Sequence, residues 1–421
     1  MRSYFAHSRL VAAAMLALSV VPATGCNSLL DVDNPGRVPS TSLDDPAVMP
    51  ILEAAALQQA QCAFVNFAAT GGMLSGEYLS ANGFVDNHIW EWRGIIEIKA
   101  NPGTCNYGRG TTAMGFYTPA QQARFQLDDL AKRVATFTDA EVPTKNKILT
   151  EANAYAGYMY VLLAEGMCEM TIDGGPSMKK SEVIAIAEKR FTDAIALATT
   201  INDASLKNMA LVGRARARLD IGNMTGAAED AAQVPTGFVR IAEFSETTPA
   251  RENRFYNLTI RNDYLSTGPD YRNLTVNGVP DPRVKVTNLN RNGNDAVTPM
   301  WQQQKYTGSG AASLPIASYA EAQLIFAEAT GGQAGLDAVN RVRALSSIAP
   351  LVPAPGADFT ALVLEERRRQ LFSEGQRYAD MLRKSLPFTT GVNRKGQTFS
   401  NLTCVPLPDV ETRNNPNFKT G

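Results

Sequence analysis

Histidine is nearly absent from this sequence: the 421 residues hold two, His7 and His88. His7 lies in an N-terminal segment read below as removed, so a single imidazole remains and a multi-histidine metal site is excluded. A Ser-His-Asp triad would have to use His88, and no nucleophile-elbow sequence accompanies it. An excess of one charge is also lacking. With 40 Lys+Arg against 41 Asp+Glu, there is no basic field to neutralise phosphates, which counts against a nucleic-acid partner. Gly108-Arg109-Gly110 and Gly174-Gly175 fall short of a P-loop or dinucleotide fingerprint and read as turns, so no cofactor is expected. Long apolar runs are missing as well, apart from the fourteen residues Leu10 to Ala23, too few for a permanent membrane span. What is present, 44% hydrophobic and 19% charged residues, is the composition of a globular protein able to bury a large core.

The apolar run follows Arg2 and Arg9 and ends in Ala23-Thr24-Gly25-Cys26, so residues 1–25 read as a signal peptide. Small residues directly before a cysteine resemble the lipobox of bacterial lipoproteins, which makes Cys26 the expected acylated anchor and residues 26–43 a tether. Losing two arginines and no acid leaves the remaining chain at net −3. Several acyl chains would hold it stably where one would be marginal. Four further cysteines, Cys62, Cys105, Cys168 and Cys404, allow three pairings in an oxidising compartment. We favour Cys62 with Cys105 as a staple on a loop-rich region, then Cys168 with Cys404; free buried thiols are the alternative.

Helical periodicity is expected at Asp44 to Gln61, Pro119 to Thr136, Lys147 to Met170, Lys180 to Thr199, Leu206 to Ile221 and Gly226 to Gln233. Between the first two lies a Gly-, Asn- and aromatic-rich region, 70–117, expected to be mostly loop. Ala210, Leu211, Gly213, Ala215, Ala217 and Leu219, the turn Gly222-Asn223-Met224, then Ala227, Ala228, Ala231 and Ala232 suit two helices in close antiparallel contact. They resemble tetratricopeptide hairpins without a strict period. Residues 236–312 turn rich in Asn, Arg, Thr, Pro and Gly, an inserted loop-rich lobe with short strands and a hairpin reversing at Asn292-Gly293. Helices resume at Ser318 to Thr330, Gly335 to Ser346, Phe359 to Gly375 and Arg377 to Lys384, before a tail without strong periodicity. The fold class is mostly α: a scaffold of tetratricopeptide-like pairs carrying the lobe, as one domain over 44–421 with helical parts at 44–235 and 313–421.

Four segments occur in a telling order: Leu314 to Ala329, Ala338 to Ala344, Glu366 to Arg383, and Pro406-Leu407-Pro408 with Glu411 and Asn415-Pro416. Together they resemble the SusD/RagB-like lipoproteins, with Ser318 where an Arg is common and Gln370 where a Glu is frequent. Such a resemblance implies a protein on the outer face of a bacterial outer membrane. It would bind oligosaccharides or peptides without catalysis and cover a SusC-like TonB-dependent transporter. The alternative is a tetratricopeptide-like scaffold lipoprotein that binds another envelope protein.

Carboxylates at Glu365, Glu366, Glu374 and Asp380 would suit glycoside hydrolysis, yet Arg367, Arg368, Arg369, Arg377 and Arg383 interleave with them at helical spacing, which reads as ion pairing. Sugar rings stack apolar C–H faces on aromatic planes. The aromatics in polar loops are Tyr78, Phe84, Trp90, Trp92 and Tyr107 in the first region, and Tyr264, Tyr271, Trp301 and Tyr306 in the lobe. Of these Trp90, Trp92, Tyr78, Trp301 and Tyr306 are the expected ligand contacts, with Trp90 and Trp92 on one side of an extended segment, in a cleft between the two regions.

Overall fold

Alanine dominates the first long helix, α1 (Met49–Leu74), which starts with Pro50 in its first turn and is buried almost without interruption from Cys62 to Leu74. The structure, a computed structural model, describes residues 40–105 and 114–418. It divides into a segment Met1–Asp45, whose described part holds a 3-10 turn at Ser40–Leu43, and a body Pro46–Gly421. The signal-peptide, anchor and most of the tether expectations lie outside the described residues. No helix among the described residues is long and apolar enough to cross a membrane.

Helix α1 runs thirteen residues past Gln61, through Gly71 and Gly72, where the sequence reads as loop. The glycines are packing positions: a Cβ at Gly72 would lie 2.8 Å from the Tyr78 ring. Short strand β1 (Tyr78–Ser80) and helices α2 (Val85–Trp92) and α3 (Ile95–Ala100) follow, so the region 70–117 is more helical than expected. Each helix is one or two turns, too brief for periodicity to stand out.

The scaffold comprises α4 (Tyr117–Thr136), α5 (Lys145–Gly166), α6 (Lys180–Thr200), α7 (Ala204–Asp220) and α8 (Met224–Ala231). Every residue of α5 from Thr150 to Gly166 is buried, as an element surrounded by helices must be; α1, α4, α6 and α7 pack on it. Small residues set the spacing. A Cβ at Gly157 or Gly213 would lie 2.7 or 2.4 Å from the Phe191 ring, so α5 and α7 close on α6 only as glycine helices there. Asn223 caps α8 by accepting from Gly226 N at 3.0 Å. These are the paired helices expected from the alanine pattern.

The lobe leaves the scaffold through β2 (Val239–Ala242) and returns through β8 (Leu314–Ser318), and the two strands pair antiparallel, Val239 opposite Ser318. The insertion thus has a closed neck. Inside it, β3 (Leu265–Thr267) pairs with β1, Tyr78 opposite Thr267, which ties the lobe to the first region. A minor hairpin joins β4 (Thr275–Val276) to β5 (Val279–Pro280), and a longer one joins β6 (Val286–Asn292) to β7 (Pro299–Gln303). The reversal at Asn292-Gly293 is not a two-residue turn. Asn290 and Ala296 take the positive φ values, and Gly293 N bonds Thr298 O at 2.8 Å across the loop. The Asp295 carboxylate accepts from Val297 N and Thr298 N, a capture that rewards the wider loop. Gly293 is required for another reason: its Cβ would lie 2.4 Å from Ala81 O of the first region.

Beyond the lobe, α9 (Tyr319–Thr330), α10 (Gly332–Leu345), α11 (Phe359–Gln370) and α12 (Gln376–Arg383) complete the scaffold, and the tail carries α13 (Asp409–Asn414). Disulfides join Cys62 to Cys105 and Cys168 to Cys404.

Just before β1, Glu77 is fully buried, and burial pushes its carboxyl up to about 7 against the hydrogen bond from Ser373 N and the charges of Lys305 and Arg377. An unfolded glutamate ionises near 4.5. Below that pH both states hold the proton; between there and about 7 the unfolded state releases it first, so stability falls as pH rises and then levels off. Glu77→Gln, which stays uncharged, is expected to match the parent at pH 4 and exceed it at pH 8, by no more than about 3 kcal/mol. Urea unfolding at both pH values checks this; a variant less stable at pH 8 would count against it.

Candidate ligand cleft

Three stretches distant in sequence meet at one face: residues 78–93, the lobe around β3, β6 and β7, and the tail at 388–400. Phe84 precedes α2 with an extended backbone because Asn82 Oδ1 accepts its N–H at 2.8 Å, holding the chain off the helix for one residue. Its ring is 45% exposed and meets Tyr264 of the lobe edge-on, centroids 5.4 Å apart. The Tyr264 carbonyl accepts from Ala81 N at 2.7 Å and from the Asn82 amide at 3.0 Å. Backbone bonds therefore fix where the two rings sit.

A polar knot supports Phe84. Lys395 donates to Asn82 O at 2.8 Å, lies 2.8 Å from His88 Nε2 and pairs with Asp295 at 2.8 Å. Burial and then the Lys395 charge hold the His88 imidazole below its ordinary range. Beside Tyr264, Asp263 holds the half-exposed Arg291 and accepts from Gln302 at 3.1 Å. Below this face a cleft of about 170 Å³ opens among Leu79, Arg93, Asp270, Arg394 and Phe399. A half-exposed ring beside a partly exposed one, flanked by amide and guanidinium groups, can stack on a flat apolar face and bond its hydroxyls.

The five aromatics expected from sequence do not form one site. Tyr78 is fully buried, stacked with Phe372 and bonded to Ser373 Oγ at 2.5 Å. Trp90 is 1% exposed and packs against Phe116. Both are core residues, a correction that follows from β1 and α2 lying against α1 rather than forming a loop. Trp90 and Trp92 do not share a side, because the segment is helix and not strand. Trp92 is half-buried against the core at the end of α2. Trp301, partly exposed on β7, lies under the Arg272 guanidinium at 5.3 Å. Tyr306 sits at the lobe's neck in a separate cavity of about 280 Å³, bonded to Glu374 at 2.9 Å. Tyr107 and Cys26 lie outside the described residues. The pair Phe84 and Tyr264 carries no stronger sequence signal than the other loop aromatics. Lys395 and Arg394 lie in a tail without periodicity.

The four carboxylates weighed for hydrolysis all hold partners: Glu365 with Arg368 and Arg369, Glu366 with Arg283 and Arg343, Glu374 with Lys305, and Asp380 with Arg367 and Arg383. Burial alone would raise the Asp380 carboxyl, but the two guanidiniums hold it at about 2. Among the described residues no group of three or more His, Cys, Asp or Glu side chains is placed to hold a metal.

Residues 234–420, from the neck of the lobe to the tail, match the family model of the SusD family. The solved structures agree over nearly the whole chain. The fold is SusD-like. A SusD-like carbohydrate binding protein from Bacteroides vulgatus superposes with a TM-score of 0.66 at 14% identity, covering 89% of this chain and 97% of that one. A SusD superfamily protein from Bacteroides fragilis gives 0.64 at 13%, covering 89% and 99%, and B. fragilis NanU gives 0.63 at 14%, covering 90% and 97%. No curated protein matches this chain in sequence. At these identities the SusD-like likeness carries the fold, and the ligand has to be argued from the site.

Proposed function

We propose that this SusD-like chain is a non-catalytic surface lipoprotein, anchored through Cys26, that captures oligosaccharides and hands them to a TonB-dependent transporter in the outer membrane. The Phe84–Tyr264 ring pair carries the reading: a half-exposed Phe84 ring set edge-on against the partly buried Tyr264, with both positions fixed by backbone bonds between the first region and the lobe. A structural relative described as a SusD-like carbohydrate binding protein supports it, as does the ion pairing of Glu365, Glu366, Glu374 and Asp380, the carboxylates weighed for hydrolysis. Peptides, which also use aromatic clefts, are the second ligand class to test.

Isothermal titration against a panel of glycans and peptides tests the proposal. Phe84→Ala and Tyr264→Ala are each expected to weaken glycan binding by about 1–3 kcal/mol, by analogy with stacking of flat rings on aromatics. Neither should shift the melting temperature much, since Phe84 is half-exposed and Tyr264 only partly buried. Full affinity in both variants would move the site elsewhere.

A further inference from the structure

Arg93 ends α2 in the left-handed conformation, φ 61°, which turns its side chain between the end of α1 and the tail. It is 2% exposed. One guanidinium nitrogen, Nη2, donates to Thr389 O at 2.6 Å and Ser400 O at 2.9 Å, and the rings of Phe388 and Phe399 lie 5.5 and 5.2 Å away. Its Nε is buried without a hydrogen-bond partner, and no carboxylate among the described residues pairs with it. Five other buried guanidiniums, Arg124, Arg216, Arg283, Arg343 and Arg367, each rest on a carboxylate. A buried charge without a counter-ion is costly, so Arg93 stands out.

The surroundings do not neutralise it. The nearest buried carboxylate of the cleft, Glu91, is taken up by Arg394 and by Ser80 N at 2.7 Å. Outside the cleft lining, Arg272 lies near enough to Arg394 for that charge, after burial, to weaken its ionisation, and its Nη2 is also buried without a partner. The other acid lining the cleft, Asp270, is an exposed rim residue. The result is a small cavity of about 170 Å³, walled by Leu79, Pro269 and Phe399, with an uncompensated cation in its side.

The geometry points to this cleft as a subsite for a monoanionic sugar substituent, a carboxylate or a sulfate ester, so that the captured ligand is an acidic oligosaccharide. This deepens the oligosaccharide reading and rests on it. A guanidinium prefers such planar or compact oxyanions, and a water-poor wall of rings strengthens the bond.

Titration of the full chain with a galacturonate trisaccharide, its methyl ester, a sulfated galactan trisaccharide and inorganic phosphate tests it. One of the two acidic sugars is expected to bind at least roughly tenfold tighter than the ester, from the usual strength of charge-assisted hydrogen bonds, with the preference shrinking as salt rises. Which acidic sugar wins distinguishes carboxylate from sulfate. Arg93→Gln should abolish the preference; Asp270→Asn, an exposed change that does not threaten folding, should increase it. Phe84→Ala should weaken acid and ester alike. Equal affinity for acid and ester, phosphate binding without sugar binding, or a preference that survives Arg93→Gln and ignores Asp270→Asn overturns the subsite. Neutral glycans binding through Phe84 without acid preference would leave the oligosaccharide reading standing, whereas no glycan binding at all overturns both.

Discussion

Trp90→Ala is expected to cost about 3–5 kcal/mol of folding stability, the range for truncating a large buried ring, while glycan affinity measured below the melting transition stays unchanged. Trp90 is 1% exposed and packs on Phe116, which in turn meets Phe67 edge-on at 5.0 Å. Phe116 cannot slide to refill the hole, because it already presses on α5 where a Cβ at Gly166 would lie 2.3 Å from its ring. The vacated space therefore persists, and the penalty includes the cavity as well as the lost transfer energy. Denaturant unfolding followed by circular dichroism reads the loss without depending on tryptophan emission. A variant that keeps its stability and loses glycan affinity would return Trp90 to the binding face.

That contrast shows what could be read in advance and what could not. Long helices such as α5 and α7 announce themselves because many residues repeat one pattern, and the small residues of α7 and α8 also told how closely they would pack. The helix α2 has eight residues, and its two tryptophans suit either a strand face or a helix. Only α1 and Phe116, both outside this short segment, decide that Trp90 faces inward. Gly71 and Gly72 were read as a break for a similar reason: nothing nearby reveals that Tyr78 will cover Gly72. Phe84 and Tyr264 are 180 positions apart, so their pairing is a property of the β1–β3 contact and of no local pattern. Arg93 is equally silent in sequence, since its lack of a carboxylate is visible only once every neighbour is placed.

Loss of the Cys168–Cys404 disulfide is the second large effect expected. The bond closes a separation of 236 residues, for which the chain-entropy relation gives roughly 5 kcal/mol. The double variant Cys168→Ser, Cys404→Ser should lose less, about 2–4 kcal/mol, because other contacts also retain the tail. Cys168 N bonds Val405 O and Val405 N bonds Gly166 O, both at 2.9 Å, and Tyr378 donates to Thr403 O at 2.6 Å. Removing Cys62–Cys105, which spans 43 residues, should cost about 1.5 kcal/mol less by the same relation. Thermal and denaturant unfolding of the two serine pairs measures both values. If the shorter link proves the more costly, unfolded-chain entropy is not what governs these bonds.

Arg394 meets Glu91 across 303 positions of sequence, which gives the cleft a timetable. As the chain is made and folds from its N-terminus, the helices can assemble long before the segment that walls the cleft exists. A product ending short of residue 388 would keep the helices α1 to α12 but lose the Cys168–Cys404 bond and the stability that goes with it, and it would present Arg93 to water. On the proposed reading, the acid-binding wall of the cleft would thus wait for residues 388–400 to be made and packed against the first region.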